Sequence, residues 1–172
     1  KRINIIIKYI DQMLVIFPFE KNWYNERGID AKFVGHPIYK QWTPSNRKEL
    51  CQQLNKKYTK PIITLYPGSR KQEVKRHLPI LIKTAVKLKR KNKDIQFILG
   101  VAEHINIHNW DIPEWIHIEK KYPQKALECA NLALIASGTS TVEAAVFGTP
   151  MVIIYKMSPL SRTRRKAGSS VF

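Results

Sequence analysis

Between Pro61 and Tyr155, short uninterrupted apolar runs alternate with amphipathic stripes, and this alternation restricts the chain more than any other feature of its sequence. Strands covered on both faces read as continuous Val, Ile and Leu runs, and strands that alternate with helices build parallel sheets. Residues 62–66 form such a run, the turn Pro67-Gly68-Ser69-Arg70 follows, and Leu78, Leu81, Ile82, Ala85 and Leu88 then mark one face of a helix. Runs at 96–101, 116–118, 132–136 and 151–155 predict four more strands, with helices near 124–130 and 140–147. Gly148 stands where the last helix must stop, and Pro150 prevents it from resuming. The fold class expected is α/β, a parallel sheet with helices on both faces.

The first 37 residues carry the same pattern on a smaller scale. Ile3, Ile6, Ile7 and Ile10 line one helical face, and 12–17 reads as a short buried strand stopped by Pro18. Phe19 and Trp23 lie one turn apart on a helix ending by Gly28, and 31–34 supplies a second strand. Together they make a β-α-β unit. Residues 38–60 are polar apart from a short helix around Glu49, Leu50 and Leu54, capped by Ser45 or Asn46, so a linker is expected there and the main domain over 61–155. Residues 156–172 include Arg162, Arg164, Arg165 and Lys166 without an acid, and a mobile basic tail is expected.

Thirty Lys and Arg against 13 Asp and Glu leave a charge of +17, which suits nucleotides, phospholipid head groups or nucleic acid without choosing among them. The apolar runs are far shorter than the ~20 residues that span a bilayer, so membrane contact is expected to be peripheral. Cys51 and Cys129 lie far apart and lack metal-type spacing, which argues against a disulfide scaffold or a zinc site and for a reducing cytoplasm. The chain begins at Lys1 without a secretory signal pattern and reads as a piece of something longer.

In open α/β sheets, ligands settle beyond the carboxyl ends of the strands. Two loops are expected at that edge, Pro67–Arg70 and Ser137–Thr141, each leading into a helix whose first N–H groups suit an anion. A diphosphate held between the two helix starts fits Gly68, Ser69, Ser137, Gly138 and Thr139, with the Arg70 guanidinium pairing to phosphate oxygens. Either loop alone reads equally well as an ordinary glycine turn, but two at equivalent positions favour a site. Glu143, a few residues into its helix, suits two sugar hydroxyls such as those of ribose, or simply complements the helix dipole. Glu73 has the same two readings at the other helix.

Phe17-Pro18-Phe19-Glu20, Phe33-Val34-Gly35-His36-Pro37, Leu65 to Arg70 with Glu73-Val74, Ala136 to Glu143, and Pro150-Met151-Val152 to Tyr155 occur in an order and spacing that resembles the lipid-A-disaccharide synthases. The resemblance reaches about Leu160. It implies a two-domain glycosyltransferase of the B-type fold, with two Rossmann-like halves facing a cleft. The implied reaction transfers diacylglucosamine from UDP to the 6-hydroxyl of diacylglucosamine 1-phosphate, with inversion, no metal and no cofactor beyond the UDP-sugar substrate. Residues 61–155 then correspond to the donor-binding domain and 1–37 to the last β-α-β part of the acceptor-side domain, with the general base elsewhere in that domain. Arg70 matches the arginine that stabilises the departing diphosphate, Ser137, Gly138 and Thr139 match the second diphosphate loop, and Glu143 matches the ribose-binding glutamate. Location at the cytoplasmic face of a Gram-negative inner membrane, peripheral on its anionic surface, is implied as well. The polar stretch Ser161 to Lys166 departs from the apolar helix that the resemblance predicts after Ser158-Pro159-Leu160, as a shifted reading frame or truncation would explain.

Other features are weaker. His104 and His108 have the i, i+4 spacing of a helical metal pair, but Asn106, Asn109 and Pro113 favour a surface loop. His36 either lines a cleft or caps a turn. Thirteen basic residues from Lys56 to Lys93, against Glu73 alone, make either a solvated face or a surface for anionic lipid. Two competing functions share these features: another UDP-sugar enzyme, such as a UDP-N-acetylglucosamine 2-epimerase, and a basic binding module without catalysis. Specific nucleic-acid binding is not expected, because aromatic and basic residues do not alternate as in RNA-binding modules.

Overall fold

The computed structural model describes residues 2–156; the expected basic tail, 157 onward, lies outside them. The chain divides after Thr43 into two compact units. The first contains α1 (Arg2–Tyr9), β1 (Met13–Val15), α2 (Pro18–Asn25), β2 (Ala31–Phe33) and α3 (Pro37–Gln41). β1 and β2 pair in parallel, Met13 opposite Ala31 and Val15 opposite Phe33. Pro18 starts α2 at a position that needs no N–H, and the Glu20 carboxylate accepts the Phe17 N–H at 3.1 Å. The expected buried strand at 12–17 is shorter and only Val15 of β1 is buried, while α1 forms its apolar stripe but buries none of it.

The second unit holds α4 (Arg47–Gln53), β3 (Ile62–Tyr66), α5 (Lys71–Lys91), β4 (Gln96–Gly100), β5 (Ile116–Glu119), α6 (Pro123–Cys129), β6 (Leu132–Ala136), α7 (Ser140–Val146) and β7 (Met151–Ile154). Its five strands lie in the order β5-β4-β3-β6-β7, all parallel. All five residues of β3 are buried, as a central strand with helices on both faces requires. Ile63 and Leu65 pack under Val74, Leu78, Leu81 and Ala85 of α5. Ile62 faces the other way, with Ala126 and Cys129 of α6 and Leu50, Cys51 and Leu54 beneath them.

That last cluster corrects the expected linker at 38–60. Residues 38–43, with α3, fall in the first unit and 44–60 in the second, because α4 lays an apolar face on α6 and the sheet and leaves polar residues outside. Asn46 caps α4 by accepting from the Lys48 and Glu49 N–H groups, whereas Ser45 donates from both N–H and hydroxyl to Glu128 on α6. Arg47 ties the same corner by donating to the Cys129 carbonyl and to Asn131. The two cysteines meet in this layer as free, buried thiols, and burial, then Cys51, pushes the Cys129 thiol up. α7 ends in a Schellman motif: Gly148, at φ 68°, donates to Ala145, and Thr149 donates to Ala144.

Candidate functional site

The chain leaves β3 toward β4 and β5 on one side, then crosses back through α6 to place β6 on the other side of β3. The carboxyl ends of β3 and β6 therefore flank a topological switch point, where the two outgoing loops diverge and leave a crevice. A cavity of ≈ 240 Å³ occupies it. Gly68, Ser69, Arg70 and Glu73 line one wall, Ser137, Gly138, Thr139 and Glu143 the other, so the structure brings together the eight residues that the sequence marks for a diphosphate and a ribose or for the two helix starts. Tyr66, Ala136 and Ser140 complete the lining.

The first wall is fixed by its own carboxylate. Glu73 Oε2 accepts from the Ser69 N–H at 3.2 Å and the Arg70 N–H at 3.3 Å, while Oε1 lies 3.5 Å from Arg70 Nη1. Gly68 makes this possible: its φ is +111°, and a Cβ there would lie 2.6 Å from Glu73 Oε2. Glu73 is thus spent on the loop, as the third residue of a helix reaching back to its cap. The Ser69 and Arg70 amides face Glu73, so what this wall offers an anion is the Arg70 guanidinium, whose side chain is 83% exposed, and the Ser69 hydroxyl. Two histidines hold the same loop: His104 Nε2 meets the Ser69 carbonyl at 3.1 Å, and the buried His77 meets that of Pro67. His104 and His108 thus lie in the surface loop after β4, and His104 serves the site wall.

The second wall grows out of the sheet. The Ser137 N–H donates to Ile154 of β7 at 2.9 Å, and Thr141 turns its hydroxyl onto the Gly138 carbonyl at 2.7 Å as α7 begins. In the first turn of α7 the Thr141 and Val142 N–H groups already donate to the Gly138 and Thr139 carbonyls at 3.1 and 2.9 Å, so this wall meets an acceptor through the backbone of 138–140 and the Ser137, Thr139 and Ser140 hydroxyls. A Cβ on Gly138 would meet nothing within 4 Å. Glu143 is half-buried one turn farther along.

Tyr66 closes the floor. Its ring lies against Gly100, where a Cβ would come within 2.7 Å of Cε2. Burial, and then the Glu143 charge, push its phenol well above the usual tyrosine range, so it remains a neutral hydroxyl at ordinary pH. Sequence reasoning passed over Tyr66; the available signal was an aromatic ending an aliphatic strand directly before the glycine turn. His77 was passed over too, although it shares the spacing of Val74, Leu78 and Leu81. In the first unit His36 caps α3, its Nδ1 accepting from the Ile38 N–H at 3.3 Å.

The sequence profile described as Lipid-A-disaccharide synthetase matches residues 1–165. The chain belongs to that family. A lipid-A-disaccharide synthase of Coxiella burnetii (strain CbuK_Q154) is 39% identical over 165 residues, covering 93% of this chain and 43% of the relative. Lipid-A-disaccharide synthase 1 of Legionella pneumophila (strain Paris) is 38% identical over 94% of this chain and 44% of its own length. A lipid-A-disaccharide synthase of Koribacter versatilis (strain Ellin345) is 36% identical over 93% of this chain and 43% of its own. The chain thus spans less than half the length of these curated relatives. Within the lipid-A-disaccharide synthetase family match lie both crevice loops and the Rossmann-like sheet that carries them.

Proposed function

We propose that the second unit is the donor-nucleotide half of a lipid-A-disaccharide synthase, which transfers diacylglucosamine from UDP to diacylglucosamine 1-phosphate. The observation that carries this is the exposed Arg70 guanidinium across a small crevice from the Ser137-Gly138-Thr139 loop, at the switch point of a parallel sheet. A diphosphate between these walls meets a planar cation on one side and a helix start on the other. Glu143, deeper along α7, accepts from the ribose hydroxyls, and Glu73 acts through the loop it holds.

The acceptor 6-hydroxyl oxygen attacks the anomeric carbon, the bond to UDP breaks with its electron pair passing to the diphosphate, and a base takes the hydroxyl proton. Negative charge grows on the diphosphate along this path, so Arg70 contributes most in the transition state. The base and the acceptor wall come from the acceptor-side domain, of which 1–37 is the last part. The reaction uses neither metal nor cofactor. The protein works at the cytoplasmic face of the inner membrane, and the outer side of α5, with Arg76, Lys83, Lys87 and Arg90 at i, i+7, i+11 and i+14, suits its anionic lipid.

Calorimetry on the purified 172-residue polypeptide tests the proposal: UDP binds more tightly than ADP or CMP, and the polypeptide alone makes no disaccharide from labelled donor and acceptor. No heat with millimolar UDP in a folded sample would refute a nucleotide site here. Turnover close to that of a two-domain relative would place the base within these residues.

A further inference from the structure

We propose that His77 is a positioning residue that sets the separation of the two crevice loops; this rests on the donor-site reading above. His77 lies on the core face of α5, 2% exposed. Its Nδ1 is 3.2 Å from the Pro67 carbonyl, and the Lys156 N–H reaches its Nε2 at 3.1 Å. A carbonyl only accepts and an amide N–H only donates, so these partners select the neutral ring with its proton on Nδ1. Both partners belong to the main chain of segments that build the crevice. Pro67 immediately precedes Gly68, the pivot of the first loop. Lys156 follows β7, and two residues earlier Ile154 accepts the Ser137 N–H that starts the second loop. One buried ring thus holds the first loop directly and the second through the exit of β7. An aliphatic residue would fill the volume but leave the Pro67 carbonyl and the Lys156 N–H unpaired. Oriented contacts tolerate shifts of only about 0.5 Å, so the spacing of the walls governs how well they grip a diphosphate.

Two variants separate the bonds. In His77→Asn the amide nitrogen stands near the place of Nδ1 and keeps the bond to Pro67; in His77→Gln the amide oxygen stands near the place of Nε2 and keeps the bond to Lys156. UDP affinity and amide exchange are measured on the 172-residue chain, with Leu81→Ala as a core variant that touches neither loop. Each His77 variant is expected to weaken UDP binding roughly tenfold, whereas Leu81→Ala, although less stable, stays within about twofold below its unfolding range. The Ser137 amide exchanges faster in His77→Asn, and the Ser69 and Arg70 amides in His77→Gln. UDP affinities of both His77 variants that merely track their loss of stability, as in Leu81→Ala, would overturn the proposal. If the unaltered chain binds no UDP, the donor-site reading falls and exchange decides: the split pattern supports loop positioning by His77, and unchanged exchange at Ser69, Arg70 and Ser137 refutes it.

Discussion

Gly68 and Gly138 occupy matching places in the two loops for opposite reasons. Gly68 serves the fold, since it is left-handed and a side chain there would strike Glu73. Gly138 has no such constraint, and its missing side chain leaves open space at the crevice. Gly138→Ala is therefore expected to keep or raise thermal stability, by ~0.4–1 kcal/mol from a less flexible unfolded chain, while it weakens UDP binding because a methyl group intrudes on the ligand. Thermal denaturation and calorimetry on the same preparation check both halves, and unchanged affinity would mean that the diphosphate does not pass Gly138. At this scale the sequence exposed which residues gather, but not which of them face outward. The spacing of Arg70 and Glu73 suits both a helix cap and a ligand pair, and only the conformation of Gly68 turns the carboxylate onto the loop. His77 was illegible for another reason: its partner at Lys156 is brought near by the sheet, not by proximity in sequence.

Among the elements, the buried strands were the most legible, because β3, β4 and β6 are covered on both faces and leave runs that are apolar but for Thr64 within β3 and Gln96 at the start of β4. α4 reads as linker because a short helix in the outer layer, resting on α6 and the middle of the sheet, shows solvent most of its surface, and only Leu50, Cys51 and Leu54 betray the buried side. β5, an edge strand, carries a pH dependence. Burial, and then the Lys56 charge, hold His117 below the usual histidine value of 6.5, and Glu119, 3.9 Å away and beyond hydrogen-bond reach, offsets this only in part. The unfolded chain thus takes up a proton near pH 6.5 that the folded chain refuses, so His117 lowers stability as pH falls below about 6.5, until the folded pKa is passed. Urea midpoints compared at neutral and mildly acid pH should show a smaller acid loss in His117→Gln than in the unaltered chain. Equal losses would assign the effect to other groups.

For the whole molecule, the +17 charge becomes specific only where structure arranges it. On α5 the one acid, Glu73, is engaged with the 67–70 loop, and the outward row from Arg76 to Arg90 runs opposite the buried Val74, Leu78, Leu81 and Ala85. Sedimentation with phosphatidylglycerol-containing vesicles should exceed that with pure phosphatidylcholine and fall off at ~0.5 M salt. Lys83→Glu with Lys87→Glu is expected to cost about tenfold or more in vesicle affinity while UDP binding is kept. Binding that ignores both salt and charge reversal would point to apolar insertion elsewhere. The neighbouring positions of β3 and β6 matter in time as well as in space. Residues 67–131 separate them along the chain, so a polypeptide emerging from the ribosome exposes the first loop well before the strand that carries its counterpart. Nucleotide can favour only a state in which both loops stand side by side, so on the donor-site reading it gives no help to the growing chain and acts as a late clamp, closing on molecules whose translation has already delivered β6 and β7 into the sheet.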